Sequence, residues 1–448
     1  MSIRLAIVLS HPVQYYSPWF RHLAARPELC VKVFYLWDFG VKEARDRTFG
    51  TTFKWDIPLL DGYDSEFIRN RSTDPGTHHF RGLDNPGAPQ AVADWKPDAV
   101  LLFGYAYLTQ LRLIFSRRLV KIPFYFRGDS HELCPVAGWK SKISRGVRSL
   151  LFRRFAGFFA VGEANARYFR ACGVAGSKIH RVPHCVDNAR FQVTAAQAEI
   201  DAIEWKRKLG IPARAPVVLF AGKFEDKKRP LDLLDAFSVV MAVAGGTESP
   251  CSADSSLAAR GVVESFKREK QSAGDLGGAP LHSQPHTSRP IPHAGPPPPD
   301  PVLLFVGSGH LEAELRKRAG AALGRSVFFA PFQNQTVMPM VYASGDLLVL
   351  PSHGRGETWG LAVNEAMNMG RPAIVSSHVG CGPDLILPAK TGWIFKAGDQ
   401  DELKSVLAEA LSDAVRLKAM GQQARDHIAN YSYERATESL IAVIKEIR

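Results

Sequence analysis

A chain of 448 residues is too long for one ordinary hydrophobic core, and 46% hydrophobic against 22% charged residues is the balance of a globular protein rather than a disordered one. A net charge of +12 implies anionic company: nucleic acid, acidic lipid or a phosphorylated small molecule. The six cysteines (Cys30, Cys134, Cys172, Cys185, Cys251, Cys381) include no CxxC pair, which argues against a disulfide framework or zinc site and suits reduced thiols in a cytosol.

The chain opens on a short apolar run, "RLAIVLS", too short for a signal core or a membrane span, and reads as a first buried strand. Further unbroken strands are predicted in "VKVFYLW", "PDAVLLFG", "IPFYFRG", "GFFAVG" and "IHRVPHCVD". Amphipathic stretches such as residues 15–26 and 163–171 lie between them, the mark of a parallel sheet covered on both faces. Cations concentrate in "LRLIFSRRLVK" and in the predicted helix "WKSKISRGVRSLLFRRF", residues 139–155. Such segments are either solvated helix faces or lipid-facing ones, and Leu150, Leu151, Phe152 and Phe155 among the arginines favour an anionic membrane through residues 140–154.

The βα pattern restarts at "APVVLFAG" (215–222) and continues through "PVLLFVGSG", "SVFFAPF", "DLLVLPS" and "RPAIVSS". Two tandem doubly wound α/β domains follow, with a boundary near residues 190–212. Residues 243–300, rich in Gly, Ser and Pro, read as a disordered insertion, with His282, His286 and His293 incidental to it.

In doubly wound sheets, ligands bind beyond the carboxyl ends of the strands. Lys223, Lys227, Lys228 and Arg229 follow one such end and suit phosphate oxygens, or equally a basic surface turn. Gly307 and Gly309 follow another and let backbone approach a ligand. "LPSHGRGETWGLAVNEAM" runs from a strand into a helix beginning near Thr358 to Gly360, whose amides at Gly360 and Leu361 favour a diphosphate. Glu357 just before that helix also suits simple capping, whereas Glu365 within it has apolar neighbours and needs partners such as sugar hydroxyls.

The ordered motifs "VPHCVDNARF", "LFAGKFEDKKRPLDLLDAF", "LLFVGSGHLEAELRK", "VFFAPF", "VYASGDLLVLPS", "ETWGLAVNEAMNMGRPAIVSS" and "GCGPDLI" with "TGWIF" resemble retaining glycosyltransferases of the GT-B fold, family 4. The resemblance covers residues 157–242 and 301–411; the first 150 residues share only the strand pattern. It implies two Rossmann-like domains facing a central cleft: an acceptor-binding domain over 1–190, a nucleotide-sugar domain over 191–425, and a helix over 426–448 that crosses back. It further implies sugar transfer from a nucleoside-diphosphate sugar to an acceptor hydroxyl with retention, in polysaccharide, lipopolysaccharide or glycolipid synthesis. Glu357 would face the donor sugar and Glu365 the ribose. Lys223 (Arg in most members) and Lys228 would neutralise the diphosphate, and the Gly360 and Leu361 backbone would hold its terminal phosphate. Asp129 falls where many members carry a histidine beside the reacting carbon, with His131 two residues on. His11 and Gln14, in place of a Gly-Gly loop, would approach diphosphate or acceptor.

The departing phosphate takes the acceptor proton in such a scheme, and fixed positive charge replaces a metal, so no metal or cofactor is expected. The expected setting is cytoplasmic, or peripheral on the membrane's inner face. A nucleotide-sugar epimerase of the same architecture, and a silent glycolipid- or nucleic-acid-binding protein, are the competing readings. The basic tracts lack the interleaved aromatics of RNA readers, so no nucleic acid is expected. A dehydrogenase fits worse, since "LSHPVQ" lacks the dinucleotide glycine fingerprint.

Overall fold

The computed structural model describes residues 2–41, 44–45, 52–134, 138–244 and 299–446. Residues 245–298, nearly all of the expected insertion and its three histidines, lie outside the described residues.

Strand β1 (Ile3–Leu9) shows why its run is unbroken. Ile3, Leu5, Ile7 and Leu9 enter one core cluster, while Ala6 and Val8 enter another on the opposite face. A strand buried on both faces needs no polar alternation, and each large side chain so buried contributes about 1.5–3 kcal/mol. β10 (Val217–Ala221) repeats this in the second half: Val217, Leu219 and Ala221 face one core, Val218 and Phe220 the other.

The first sheet also contains β2 (Leu29–Tyr35), β5 (Asp64–Phe67), β6 (Ala99–Phe103), β7 (Phe124–Gly128), β8 (Gly157–Ala160) and β9 (Ile179–Arg181). β3 (Ala44–Arg45) and β4 (Thr52–Phe53) form a separate antiparallel pair. The order is β5-β2-β1-β6-β7-β8-β9, all parallel, with Leu5 opposite both Val31 and Ala99. The second sheet joins β10 to β11 (Val302–Val306), β12 (Val327–Ala330), β13 (Leu347–Leu350), β14 (Ala373–Ser376) and β15 (Gly392–Phe395) in the order β12-β11-β10-β13-β14-β15. Both are doubly wound Rossmann-like sheets. Their strand orders reverse at β1/β6 and β10/β13, and crevices open at those points.

Edge strand β5 escapes sequence reading because its residues, Asp64, Ser65, Glu66 and Phe67, carry no buried run. Lys32 of the neighbouring strand holds it through Glu66 at 3.0 Å. The stretch read as a boundary is a continuous helix, Asn188–Lys208, started by Asp187 accepting from the Arg190 amide at 3.0 Å. Phe191, Ala198 and Ala202 bury it in the second lobe's core. The last helix, Tyr433–Lys445, returns to the first lobe: Leu440, Ile441 and Ile444 join Leu5, Ile7 and Phe20, and Trp19 donates to Thr437 at 3.1 Å.

One expectation needs correction. Phe152 and Phe155, read as lipid-facing, are buried in the first lobe's core among Phe124, Phe126 and Phe158, because the helix Trp139–Phe152 turns its end inward. Arg154 is likewise structural, donating to the carbonyls of Ile114 and Leu119.

Candidate functional site

A cavity of about 450 Å³ lies between the carboxyl ends of the two sheets. The first lobe contributes His11, Gln14, Tyr15, Asp129 and His184, and the second Lys223, Lys228, Gly307, Glu357, Thr358, Gly360, Leu361 and Glu365. Most residues singled out from sequence therefore meet in one place. Lys223 and Lys228 follow β10, and the segment 351–360 follows β13, so the crevice of the second sheet brings them together.

Glu357 is held on several sides. Lys228 forms an ion pair with its carboxylate, and Ser352 donates to it at 3.0 Å. Its carbonyl accepts from the Gly380 amide at 3.1 Å and lies 3.1 Å from His131 Nε2. Cys381 N donates to Trp359 O at 2.8 Å. The "GCG" motif thus suspends the loop 357–360, and a Cβ on Gly380 would strike the Thr358 carbonyl. Gly360 then turns the chain into the helix Leu361–Asn368 with φ +98°, a conformation suited to glycine. The first intrahelical bond is Val363 N to Gly360 O, so the amides of Leu361 and Ala362, two residues that line the cavity, precede it at the positive end of the helix.

Glu365 is buried, and Tyr342 donates to its Oε2 at 2.6 Å. Oε1 has no hydrogen-bond partner among the described residues although it is cut off from bulk water. Burial raises this carboxyl's pKa, and the Tyr342 bond, Arg190 and Tyr15 offset that only in part. A ligand hydroxyl or amide that reached this buried oxygen would supply the partner it lacks.

Across the cleft, Asp129 takes the Thr358 hydroxyl at 2.6 Å. Asp129 is not tied up by Arg127, whose buried guanidinium donates to the carbonyls of Val182 and Pro183 and lies 4.7 Å from the Trp19 ring. His184 stacks on Tyr16 with ring centroids 5.4 Å apart, and burial holds its pKa well below the usual histidine range. His11 sits edge-on to Trp37 and Phe39, and burial lowers its pKa to about 4. Both imidazoles are neutral near pH 7.

Two expected site residues stand elsewhere. His131 does not line the cavity; Leu133 N donates to its Nδ1, so Nε2 carries the proton and donates to the Glu357 carbonyl, making His131 a strut beneath the loop. Gly309 packs against the Phe224 backbone, where a side chain would not fit, and is also absent from the cavity wall; Gly307 does line it. Tyr15, Tyr342 and His184 line the cavity and were not read from sequence as site residues. Tyr342 had a signal, since a tyrosine in an apolar helix needs a partner for its hydroxyl. Asp74, His78 and His79 bring potential metal-ligand atoms within 4.8 Å of one another at the surface, and none of them lines the cavity.

Residues 297–427 match the model of the family described as Glycosyl transferases group 1, a stretch that contains Glu357, Gly360 and Glu365 but not Lys223 or Lys228. The chain has the GT-B architecture of the solved structures it resembles. Anabaena Alr3699/HepE in complex with UDP and glucose aligns at TM-score 0.65 and 15% identity over 99% of this chain and 100% of that one. Sucrose-phosphate synthase from Thermosynechococcus elongatus aligns at 0.65 and 16% over 99% and 98%. In sequence, the chain is 33% identical over 153 residues to a GDP-mannose-dependent monoacylated alpha-(1-6)-phosphatidylinositol monomannoside mannosyltransferase of Corynebacterium glutamicum, covering 33% of this chain and 39% of that protein. It is 32% identical over 145 residues to the sulfoquinovosyl transferase SQD2 of Arabidopsis thaliana, covering 32% and 27%. The matched stretch thus spans well under half the length of these relatives.

Proposed function

We propose that the protein is a glycosyltransferase that moves a sugar, with retained anomeric configuration, from a nucleoside-diphosphate sugar to an acceptor hydroxyl. The observation that carries this reading is one cavity holding Lys223, Lys228 and a helix start opposite Asp129, with the buried carboxylate of Glu365 at its second-lobe wall. The diphosphate lies against the amides of Leu361 and Ala362 and the two lysines, and the ribose hydroxyls satisfy Glu365. As the glycosidic bond breaks, negative charge grows on the leaving diphosphate, and these groups are already aimed at it. Glu357, fixed by Lys228 and Ser352, faces the departing sugar, and Asp129 offsets positive character on it. No protein base is needed if the leaving phosphate takes the acceptor proton.

Two curated relatives named for phosphatidylinositol monomannoside support a lipid-linked acceptor, while others are named for D-inositol 3-phosphate. Uridine and guanosine donors are both represented among the similar proteins, one solved with UDP and others named for GDP-mannose. Incubation with UDP-glucose or GDP-mannose and a phosphatidylinositol glycoside, read as nucleoside diphosphate released, tests the proposal. Release with one donor is expected, falling about 100-fold in Lys228→Ala. Release from neither donor counts against it, and an epimer formed from donor alone points to an epimerase instead.

A further inference from the structure

The helix Trp139–Phe152 presents an apolar stripe that nothing among the described residues covers: Ile143, Val147 and Leu150 are 58%, 65% and 68% exposed. Their spacing puts all three on one side of the helix. Phe115 and Val120, 68% and 62% exposed, stand beside the stripe's end, because Arg154 donates to the carbonyls of Ile114 and Leu119 and so joins the two segments. Neither residues 111–121 nor 138–156 contain an acidic side chain. Arg112 pairs with Asp84 and Arg145 with Glu132, whereas Arg117, Arg118, Lys121 and Arg153 are exposed around the apolar residues.

We propose that this face docks on an anionic lipid bilayer and that the cleft draws its acceptor from that surface; the second clause rests on the glycosyl-transfer reading. Apolar side chains rimmed by exposed cations complement both layers of such a surface, the acyl boundary and the charged headgroups. A nucleic acid would match the cations and leave the apolar stripe without a counterpart. The placement favours an acceptor held there. The helix follows the loop from β7 that carries Asp129 at the cavity wall, and Glu132 of the same loop holds Arg145.

Cosedimentation of the full chain with vesicles tests the docking. Binding to phosphatidylcholine vesicles containing phosphatidylglycerol is expected, with little binding to phosphatidylcholine alone and weakening as salt rises. Val147→Glu with Leu150→Glu should weaken it about tenfold or more, and Arg117→Ala with Arg118→Ala by a similar factor. All these positions are exposed, so the variants should keep the wild-type far-UV spectrum and the wild-type thermal shift with UDP or GDP. Absence of binding to the anionic vesicles, as when a protein partner covers this face instead, overturns the proposal. Binding that ignores both the variants and phosphatidylglycerol does so too. The nucleotide shift is read without vesicles, so loss of the donor site and loss of docking are separate results.

Discussion

Glu365 carries a cost that the folded protein does not recover until something enters the cleft. Its carboxyl is buried with one oxygen unpartnered among the described residues, and its pKa is raised by that burial. A raised folded pKa means that the native state holds the proton more tightly than the unfolded chain. Stability therefore falls as pH climbs from the ordinary carboxyl range through the raised value. Glu365→Gln removes the charge and keeps an oxygen for Tyr342. It should stabilise the unliganded protein at pH 7 by about 1 kcal/mol in a urea titration while weakening nucleoside diphosphate binding about tenfold or more. His11 acts with the opposite sign. With its pKa lowered from 6.5 to about 4, the unfolded chain binds the extra proton, so stability falls on acidification through that window. His11→Gln should flatten that part of the acid limb, seen in melting temperatures across the same pH range. Glu365 was legible as a buried carboxylate from its apolar neighbours. Its pairing with Tyr342 was not, because that tyrosine comes from a helix 23 positions away that only the fold brings near.

Among the elements, the donor loop is positioned by another loop. Gly380 and Cys381 hydrogen-bond the carbonyls of Glu357 and Trp359, and His131 reaches the first of these from the other lobe. Gly380→Ala would push its Cβ into the Thr358 carbonyl, and displacing that loop should cost about 1–3 kcal/mol of stability and lower donor affinity more than acceptor affinity. Comparing KM for donor and acceptor checks this. The long, doubly buried strands are legible in the sequence because an unbroken apolar run of that length, bounded by turn residues, has to be buried on both faces. Polar edge strand β5 is not, and neither is the helix Asn188–Lys208, whose buried stripe is mostly alanine and hardly stands out from its exposed face. His131 lies two residues from Asp129 at a strand end, and nothing local separates a residue that lines a cavity from one that props its wall.

For the molecule as a whole, the cleft exists only while two lobes hold a set distance. Asp384 of the second lobe accepts from the Glu163 amide at 2.9 Å and pairs with Arg181, both of the first lobe. Trp359 and Asp384 press close to Gly162, where no side chain would fit. Asp384→Ala leaves the Glu163 amide and Arg181 without that partner and should cost about 2–3 kcal/mol, with separate unfolding steps for the lobes in calorimetry. The tandem architecture was plain from two βα series. The seam was not, since its members, among them Asp129, Glu163, Thr358 and Asp384, are single residues far apart in the chain that no periodicity marks.

Everything proposed for the chemistry requires that fixed protein charge bind a diphosphate in this cleft. Isothermal titration of UDP and GDP into the wild type, Lys228→Ala and Glu365→Ala, all in excess chelator, addresses that requirement without intermediates. Saturable binding of at least one nucleotide to the wild type in chelator is expected, weakened about tenfold or more in each variant. Binding that needs a divalent cation, or that both variants leave unchanged, would contradict it.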